Sequence, residues 1–137
     1  MRKIIFSIFI AGVLASCGQN NNQTSGQEVV SVESAPKLKF EKEVYDFGKI
    51  KAGEKVVYDF ELSNTGKTPL IIKSAVASCG CTVPEIPKDP ILTGSKSKIN
   101  VVFNSEGKEG LQDKVITVTA NTIPAQTQIH LIGEVIK

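Results

Sequence analysis

The clearest pattern in this chain is an alternation of apolar and polar residues with a period of two. Val56, Tyr58, Phe60 and Leu62 occupy every second position of residues 56–63, and polar residues fill most positions between them. Such alternation predicts a strand with one buried face and one solvated face. Further strands are predicted for residues 70–76, 99–104, 115–120 and 129–135, which hold most of the β-branched residues, and residues 38–47 supply an entering strand. Six or seven short strands separated by polar turns predict an all-β sandwich.

The beginning of the chain has the three parts of a secretion signal. Arg2 and Lys3 make a basic start, residues 4–15 form an apolar run, and small residues precede Cys17. The run is too short for a transmembrane helix, which needs about 20 apolar residues to cross a hydrocarbon core of roughly 30 Å.

Residues 14–17 (LASC) resemble the lipobox of bacterial lipoproteins. The resemblance implies that the signal is cut before Cys17, and that this cysteine carries a diacylglyceryl thioether and an acylated amine. Several acyl chains hold a protein on a membrane, whereas one chain alone binds reversibly. The alternative is an ordinary secretion signal that happens to be followed by a cysteine.

Composition divides the chain into three parts. Residues 1–16 are the predicted signal peptide. Residues 17–36 are the lipidated cysteine and a tether rich in Asn, Gln, Ser and Gly, a composition that buries too little apolar surface to fold. Residues 37–137 are the predicted sandwich domain, which is long enough for a single core.

The net charge changes once the signal is removed. The sequence has 16 Lys and Arg against 14 Asp and Glu, a formal charge of +2. Arg2 and Lys3 leave with the predicted signal, so 14 basic residues face 14 acidic residues in the mature chain. A neutral chain offers no argument for binding nucleic acid or an anionic membrane surface.

Three short segments in the predicted domain carry a resemblance: residues 45–50 (YDFGKI), 60–66 (FELSNTG) and 78–82 (SCGCT). In this order they resemble a bacterial family of exported immunoglobulin-like domains of unknown function, which is itself similar to the Hydin-type (ASH) domains. The resemblance spans residues 38–136. It implies a seven-stranded immunoglobulin-like β-sandwich and a periplasmic or surface location, and it implies no activity. Within it, residues 47–48 and 64–66 are interpreted as strand-edge and turn determinants.

The Cys79-Gly80-Cys81 segment has three possible states. In an extended strand the two cysteine Cα atoms would lie about 7 Å apart, and a disulfide requires roughly 4.4–6.8 Å. A disulfide therefore requires a bend, which Gly80 permits at little conformational cost. In the second state, two thiolates hold a soft metal ion such as Cu(I), with His130 as a further ligand. In the third state, Cys79 and Cys81 are partly buried free thiols.

The sequence shows no catalytic constellation. His130 is the single histidine, and the sequence shows no nucleophile–His–acid arrangement of the Ser-His-Asp or Cys-His-Asn kind around it. The chain is therefore expected to be no enzyme and to need no cofactor. The expected function is a structural or protein-interaction module that binds an unidentified envelope protein and no nucleic acid. The alternative is thiol-redox or copper handling through Cys79 and Cys81.

The expected location is the periplasmic side of a membrane. Gly18, rather than an acidic residue, follows the predicted lipid-bearing cysteine. This arrangement resembles lipoproteins that are sent on to the outer membrane, so the chain is expected to be anchored there through Cys17 and to face the periplasm.

Overall fold

A computed structural model describes residues 34–137. The predicted signal peptide, Cys17 and most of the predicted tether lie outside the described residues. Within residues 34–137 the structure contains no helix that could span a membrane. The described part contains eight strands: β1 (Leu38–Phe40), β2 (Val44–Lys51), β3 (Lys55–Asn64), β4 (Ile72–Ala77), β5 (Thr82–Glu85), β6 (Lys96–Asn104), β7 (Gly110–Ala120) and β8 (Gln126–Ile136).

The strands form two sheets of four strands each, which confirms the predicted all-β sandwich. The first sheet has the order β1-β3-β6-β5, and the second sheet has the order β2-β8-β7-β4. All neighbouring strands are antiparallel except β2 and β8, which are parallel. The edge strands β4 and β5 belong to opposite sheets and contact each other.

The count of eight strands corrects the expected seven. The run at residues 38–47, predicted as one strand, is divided between β1 in the first sheet and β2 in the second. One further short strand, β5, follows the Cys-Gly-Cys segment. It contains Pro84, which has no amide hydrogen to donate to a neighbouring strand, and it lies at the edge of its sheet, where proline is tolerated. A segment of four residues with a proline does not show the alternation that predicts a strand.

The core lies between the sheets and consists of the inward-facing half of each alternating run. Phe60 and Leu62 of β3 are completely buried, whereas Val57 on the outer face is 61% exposed. The predicted alternation in residues 56–63 is therefore correct in both period and phase. Between β2 of the second sheet and β3 of the first, the rings of Tyr45 and Tyr58 stack with centroids 3.6 Å apart and planes 11° from parallel.

Residues 47–48 shape the edge strand β2, as predicted. The pairing of β2 with β8 shifts between Asp46 and Lys49. Gly48 adopts a positive φ of 72°, which favours glycine, and its amide donates to Oδ1 of Asp46 at 2.8 Å. These contacts make the bulge that turns the Phe47 ring toward the core, where it lies 5.7 Å from the ring of Phe103.

Asn64 and Gly66 hold the turn that follows β3, also as predicted. Nδ2 of Asn64 donates to the carbonyl oxygens of Thr68 and Ile91, at 2.8 and 2.9 Å. Its Oδ1 accepts from the amide of Gly66 at 2.9 Å. Because Asn64 is completely buried, these bonds satisfy polar groups that water does not reach.

The packed part of the chain begins before the predicted domain boundary at residue 37. Ala35 is 4% exposed and Pro36 is buried. The backbone of residues 35–37 crosses directly over Gly66, so close that a Cβ there would overlap the main chain of Ala35 and Lys37. The last residues of the predicted tether are therefore part of the sandwich.

Candidate functional site

Residues 78–81, the disulfide turn, carry the chain from the second sheet to the first. They leave β4 at one edge of the second sheet and lead into β5 at the adjoining edge of the first. Cys79 and Cys81 are joined by a disulfide, with their Cα atoms 5.3 Å apart. The chain is thus bent at Gly80, as the expected disulfide requires, because an extended segment would hold these Cα atoms about 7 Å apart. Of the three states considered, the structure contains the disulfide.

The backbone on both sides of the disulfide turn is held by hydrogen bonds. The amide of Ser78 donates to the carbonyl of Val115 at 2.8 Å, which extends the pairing of β4 with β7. The carbonyl of Cys81 accepts from the amide of Asn104 at 2.8 Å, which begins the pairing of β5 with β6. The turn is closed by the amide of Thr82, which donates to the carbonyl of Cys79 at 3.2 Å. A three-residue disulfide loop stabilises the fold by only about 1.6 kcal/mol in the chain-entropy model. The hydrogen bonds on both sides therefore contribute much of what holds the turn in place.

Thr82 contributes a buried hydroxyl beneath the two sulfur atoms. Its Oγ1 lies 3.7 Å from Sγ of Cys79 and 3.9 Å from Sγ of Cys81. Because sulfurs in a disulfide carry no hydrogen, the hydroxyl is the donor in these long, weak contacts. The residue is 4% exposed. Sequence reasoning quoted Thr82 only as part of the SCGCT segment, and its position beside the disulfide was the signal that could have identified it.

A shallow open groove of about 440 Å³, the Cys81 groove, runs along the outer surface beside the disulfide turn. Gly80 and Cys81 line one side of it, and apart from residues 79–81 no heavy atom lies within 4 Å of the position that a Cβ on Gly80 would occupy. The remaining wall includes Lys55, Val83, Glu106 and Lys108. Sequence reasoning did not find these lysines, because they come from β3 and from the turn between β6 and β7.

Lys114 lies on the inner side of the same end of the sandwich. Its Nζ lies 5.4 Å from the centroid of the Phe103 ring, and Phe103 pairs directly with Thr82. Burial lowers the pKa of the Lys114 ammonium from its ordinary value, and the positive charge of Lys108 lowers it further. β4 ends at Ala77, which pairs with Ile116, and the bond from Ser78 to Val115 brings the beginning of the disulfide turn alongside β7 near Lys114.

His130 is placed away from the cysteines. It lies in β8 on the outer face of the second sheet, because its neighbours Ile129 and Leu131 both point into the core. Its Nδ1 lies 2.9 Å from Oδ1 of Asp113 on β7. Within residues 34–137, no three His, Cys, Asp or Glu side chains come together in a way that could hold a metal ion. The structure therefore does not assemble Cys79, Cys81 and His130 into one site.

Three valines form a row across the outer face of the first sheet. Val57 of β3 and Val83 of β5 each pair with Val102 of β6, so their side chains stand side by side. Val57 is 61% exposed and Val83 is 56% exposed. Val83 and Val102 also line the Cys81 groove. This valine row is thus an apolar strip that ends at the disulfide turn.

Comparison with known proteins identifies a family and a fold. A family described as "Protein of unknown function (DUF1573)" matches residues 38–135. A comparison with curated proteins finds no match.

Among solved structures, a protein of unknown function from Porphyromonas gingivalis W83 is 16% identical, with a TM-score of 0.67 over 77% of this chain. The chain spans only 50% of that protein's length. The seventh ASH/PapD-like domain of human CEP192 is 13% identical, with a TM-score of 0.57 over 76% of this chain and 88% of that domain.

A third similar structure is the secreted serine protease VesC from Vibrio cholerae. It is 9% identical, with a TM-score of 0.55 over 72% of this chain and 23% of the protease. At these identities the likenesses show the immunoglobulin-like fold alone, and they bring no activity to this chain.

Proposed function

The chain belongs to the DUF1573 family of proteins of unknown function, and we propose that it is an exported lipoprotein whose sandwich is a protein-interaction module of the cell envelope. The valine row is the observation that carries this proposal. Val57 and Val83 are both more than half exposed on a sheet face that no other part of residues 34–137 covers. Apolar strips of this kind with polar borders are typical of protein-binding surfaces.

The partner would bind the sheet face rather than add a strand to its edge. The edge strand β5 contains Pro84, which has no amide hydrogen to donate to a partner strand. The amide of Thr82 is already bonded to the carbonyl of Cys79 at 3.2 Å, so it is not offered to a partner strand either. Apolar contacts with Val57 and Val83 therefore offer a partner more than the backbone of β5 does.

Charge at the border of the valine row indicates the chemistry of the partner. Lys55 and Lys108 lie along the side of the row that adjoins the Cys81 groove, against Glu106 alone. On the opposite side, Asp59 is already paired with Lys98 at 2.6 Å. A segment with apolar side chains and a carboxylate on one side complements this arrangement. We propose such a segment of an envelope protein as the partner.

The anchor is proposed from the sequence. The basic start, the apolar run and the LASC segment before Cys17 support lipid attachment at that cysteine and an outer-membrane location facing the periplasm. The tether that follows would allow the sandwich to reach a partner away from the membrane surface.

Site-specific photo-crosslinking in cells tests the proposal. A photoreactive residue at position 83 should crosslink to one envelope protein, and Val57→Asp should abolish that crosslink. The matched control is position 76, because Val76 is an exposed valine on the outer face of the other sheet. Equal crosslinking from positions 83 and 76, or an undiminished crosslink with Val57→Asp, would contradict the proposed surface.

Lipid attachment is tested separately. Labelled palmitate should be incorporated into the full chain and not into Cys17→Ser, and the variant should move from the membrane to the soluble fraction. A Cys17→Ser variant that remains in the membrane fraction would contradict the proposed anchor and would leave the interaction surface unaffected.

A further inference from the structure

The disulfide turn can open without loss of the surrounding fold. Ser78 is bonded to Val115 on one side of the disulfide, and Cys81 is bonded to Asn104 on the other, both at 2.8 Å. Neither bond involves a sulfur atom. Breaking the bond between the sulfurs therefore leaves the ends of β4 and β5 in place, with the two thiols still close enough to join again.

One of the two sulfurs is open to attack by an external thiolate. Cys81 lines the Cys81 groove and Cys79 does not, and apart from residues 79–81 no heavy atom lies within 4 Å of the Cβ position of Gly80. Displacement at a disulfide requires the incoming sulfur to approach along the axis of the bond. Lys55 and Lys108 on the groove wall attract an anionic nucleophile. The geometry thus favours attack on Sγ of Cys81, with Cys79 as the leaving group.

The sulfur that leaves has a group beside it that stabilises negative charge. The Thr82 hydroxyl, 3.7 Å from Sγ of Cys79, can shorten this contact as the sulfur becomes a thiolate. Thr82 is therefore a positioning residue that acts on the leaving sulfur.

From these contacts we propose that the Cys79–Cys81 disulfide is an exchange site that oxidises a dithiol of another exported protein. The partner's thiolate attacks Sγ of Cys81, the disulfide breaks, and a mixed disulfide forms while Cys79 leaves as a thiolate. The partner's second thiolate then attacks its own sulfur in the mixed disulfide and releases Cys81. In total, two electrons and two protons pass from the partner to this chain, which is left with two thiols. This activity rests on the proposed export of the chain, and it does not require the proposed docking on the valine row.

The attacked sulfur is identified with glutathione, an anionic monothiol. The oxidised full chain in detergent is mixed with glutathione, quenched with acid, and fragmented in a mass spectrometer to locate the adduct. Glutathione is expected on Cys81. An adduct on Cys79, or a chain that neither holds an adduct nor converts glutathione to its disulfide, would overturn the proposal.

The leaving-group role of Thr82 is tested by reduction with dihydrolipoate, an anionic dithiol. The rate of thiol appearance is followed by alkylation and mass. Thr82→Val should slow the reaction about tenfold, and Thr82→Ser, which keeps the hydroxyl, should restore most of the rate. Thr82→Val with an unchanged rate would overturn this role. Circular dichroism shows whether each variant folds, and if Thr82→Val does not, Thr82→Ala takes its place in the comparison with Thr82→Ser.

The role of the groove lysines is tested by comparing dihydrolipoate with dithiothreitol, a neutral dithiol. Lys55→Gln/Lys108→Gln should reduce the preference for dihydrolipoate about threefold or more. The control is Lys67→Gln/Lys73→Gln, which removes the same charge from residues that do not line the groove. An equal loss of preference in both double variants would show a general effect of net charge and would overturn the proposed role of the groove.

Discussion

The ring of Phe47 occupies the space that a Cβ on Gly133 would need. Phe47 belongs to the edge strand β2, and Gly133 belongs to the neighbouring parallel strand β8. The bulge at Gly48 turns the ring over the glycine and toward Phe103 in the core. This contact fixes the one parallel strand pair of the described sandwich to its interior.

Gly133→Ala should therefore destabilise the fold. The added methyl group overlaps the Phe47 ring, and overpacking of this kind costs about 1–3 kcal/mol. Urea unfolding of the full chain measures the loss. In a Phe47→Ala background the same substitution should have almost no effect, because the overlapping ring is gone. An equal loss in both backgrounds would show that the two residues are not coupled in this way.

Asn64→Ala should be among the most damaging single polar substitutions in the domain. It leaves the buried amide of Gly66 and the part-buried carbonyl of Thr68 without this partner. Unsatisfied buried groups cost roughly 1–3 kcal/mol each, so we expect a loss of about 2–4 kcal/mol in the free energy of unfolding.

Asn121→Ala is the matched control for this substitution. Asn121 also bridges two backbone groups, accepting from the amide of Ile71 and donating to the carbonyl of Pro69, but both bonds are exposed. Water can replace the amide there, so the loss should stay below about 1 kcal/mol. Equal losses for the two variants would contradict the role assigned to burial of Asn64.

Removal of the disulfide should weaken the domain only slightly. The loop between Cys79 and Cys81 has three residues, for which the chain-entropy model gives about 1.6 kcal/mol. Cys79→Ser/Cys81→Ser should therefore fold, with a lower urea midpoint and an unchanged denaturant slope. A double variant that is unfolded in the absence of urea would show that the disulfide is structural, contrary to the bonds of Ser78 and Asn104.

The loss of folding stability at acidic pH should depend on Asp59. Hydrogen bonds from Asn100 and from Lys98, each 2.6 Å long, lower the pKa of the Asp59 carboxyl below its ordinary value of 3.8. A carboxyl whose pKa is lowered in the folded state stabilises the fold above its unfolded pKa, and it loses this contribution as the pH falls through the folded value.

The wild type should thus exceed Asp59→Asn in urea midpoint near neutral pH, and the difference should shrink as the pH is lowered below about 4. Asp89→Asn, at an exposed loop, is the control and should change little over the same range. A difference between wild type and Asp59→Asn that grows on acidification would contradict the direction of the pKa shift.

The local sequence pattern was sufficient to predict which face of a strand is buried. Every second residue of β3 is buried because side chains alternate across a strand, and this period depends only on neighbouring residues. The same rule places His130 outward between Ile129 and Leu131. Asn64 and Gly66 could be recognised as turn residues because two of the Asn64 side-chain bonds reach residues within four positions, whereas its bond to Ile91 leaves no local signal.

Sheet membership was decided by contacts between distant parts of the chain. The run at residues 38–47 reads as one strand, but β1 pairs with β3 and β2 pairs with β8, about 90 residues further on. A period of two in the hydrophobic residues indicates which face of a strand is buried, but it does not indicate which strand lies beside it.

The disulfide turn shows the same division. The sequence by itself determined that Cys79 and Cys81 could be joined if Gly80 bends the chain, because that question concerns three adjacent residues. Only the tertiary structure decided that this turn crosses from one sheet to the other and that Lys55 and Lys108 stand beside it. Those lysines come from segments far from the turn in sequence, so their approach follows from the packing of strands and leaves no local signal in the chain.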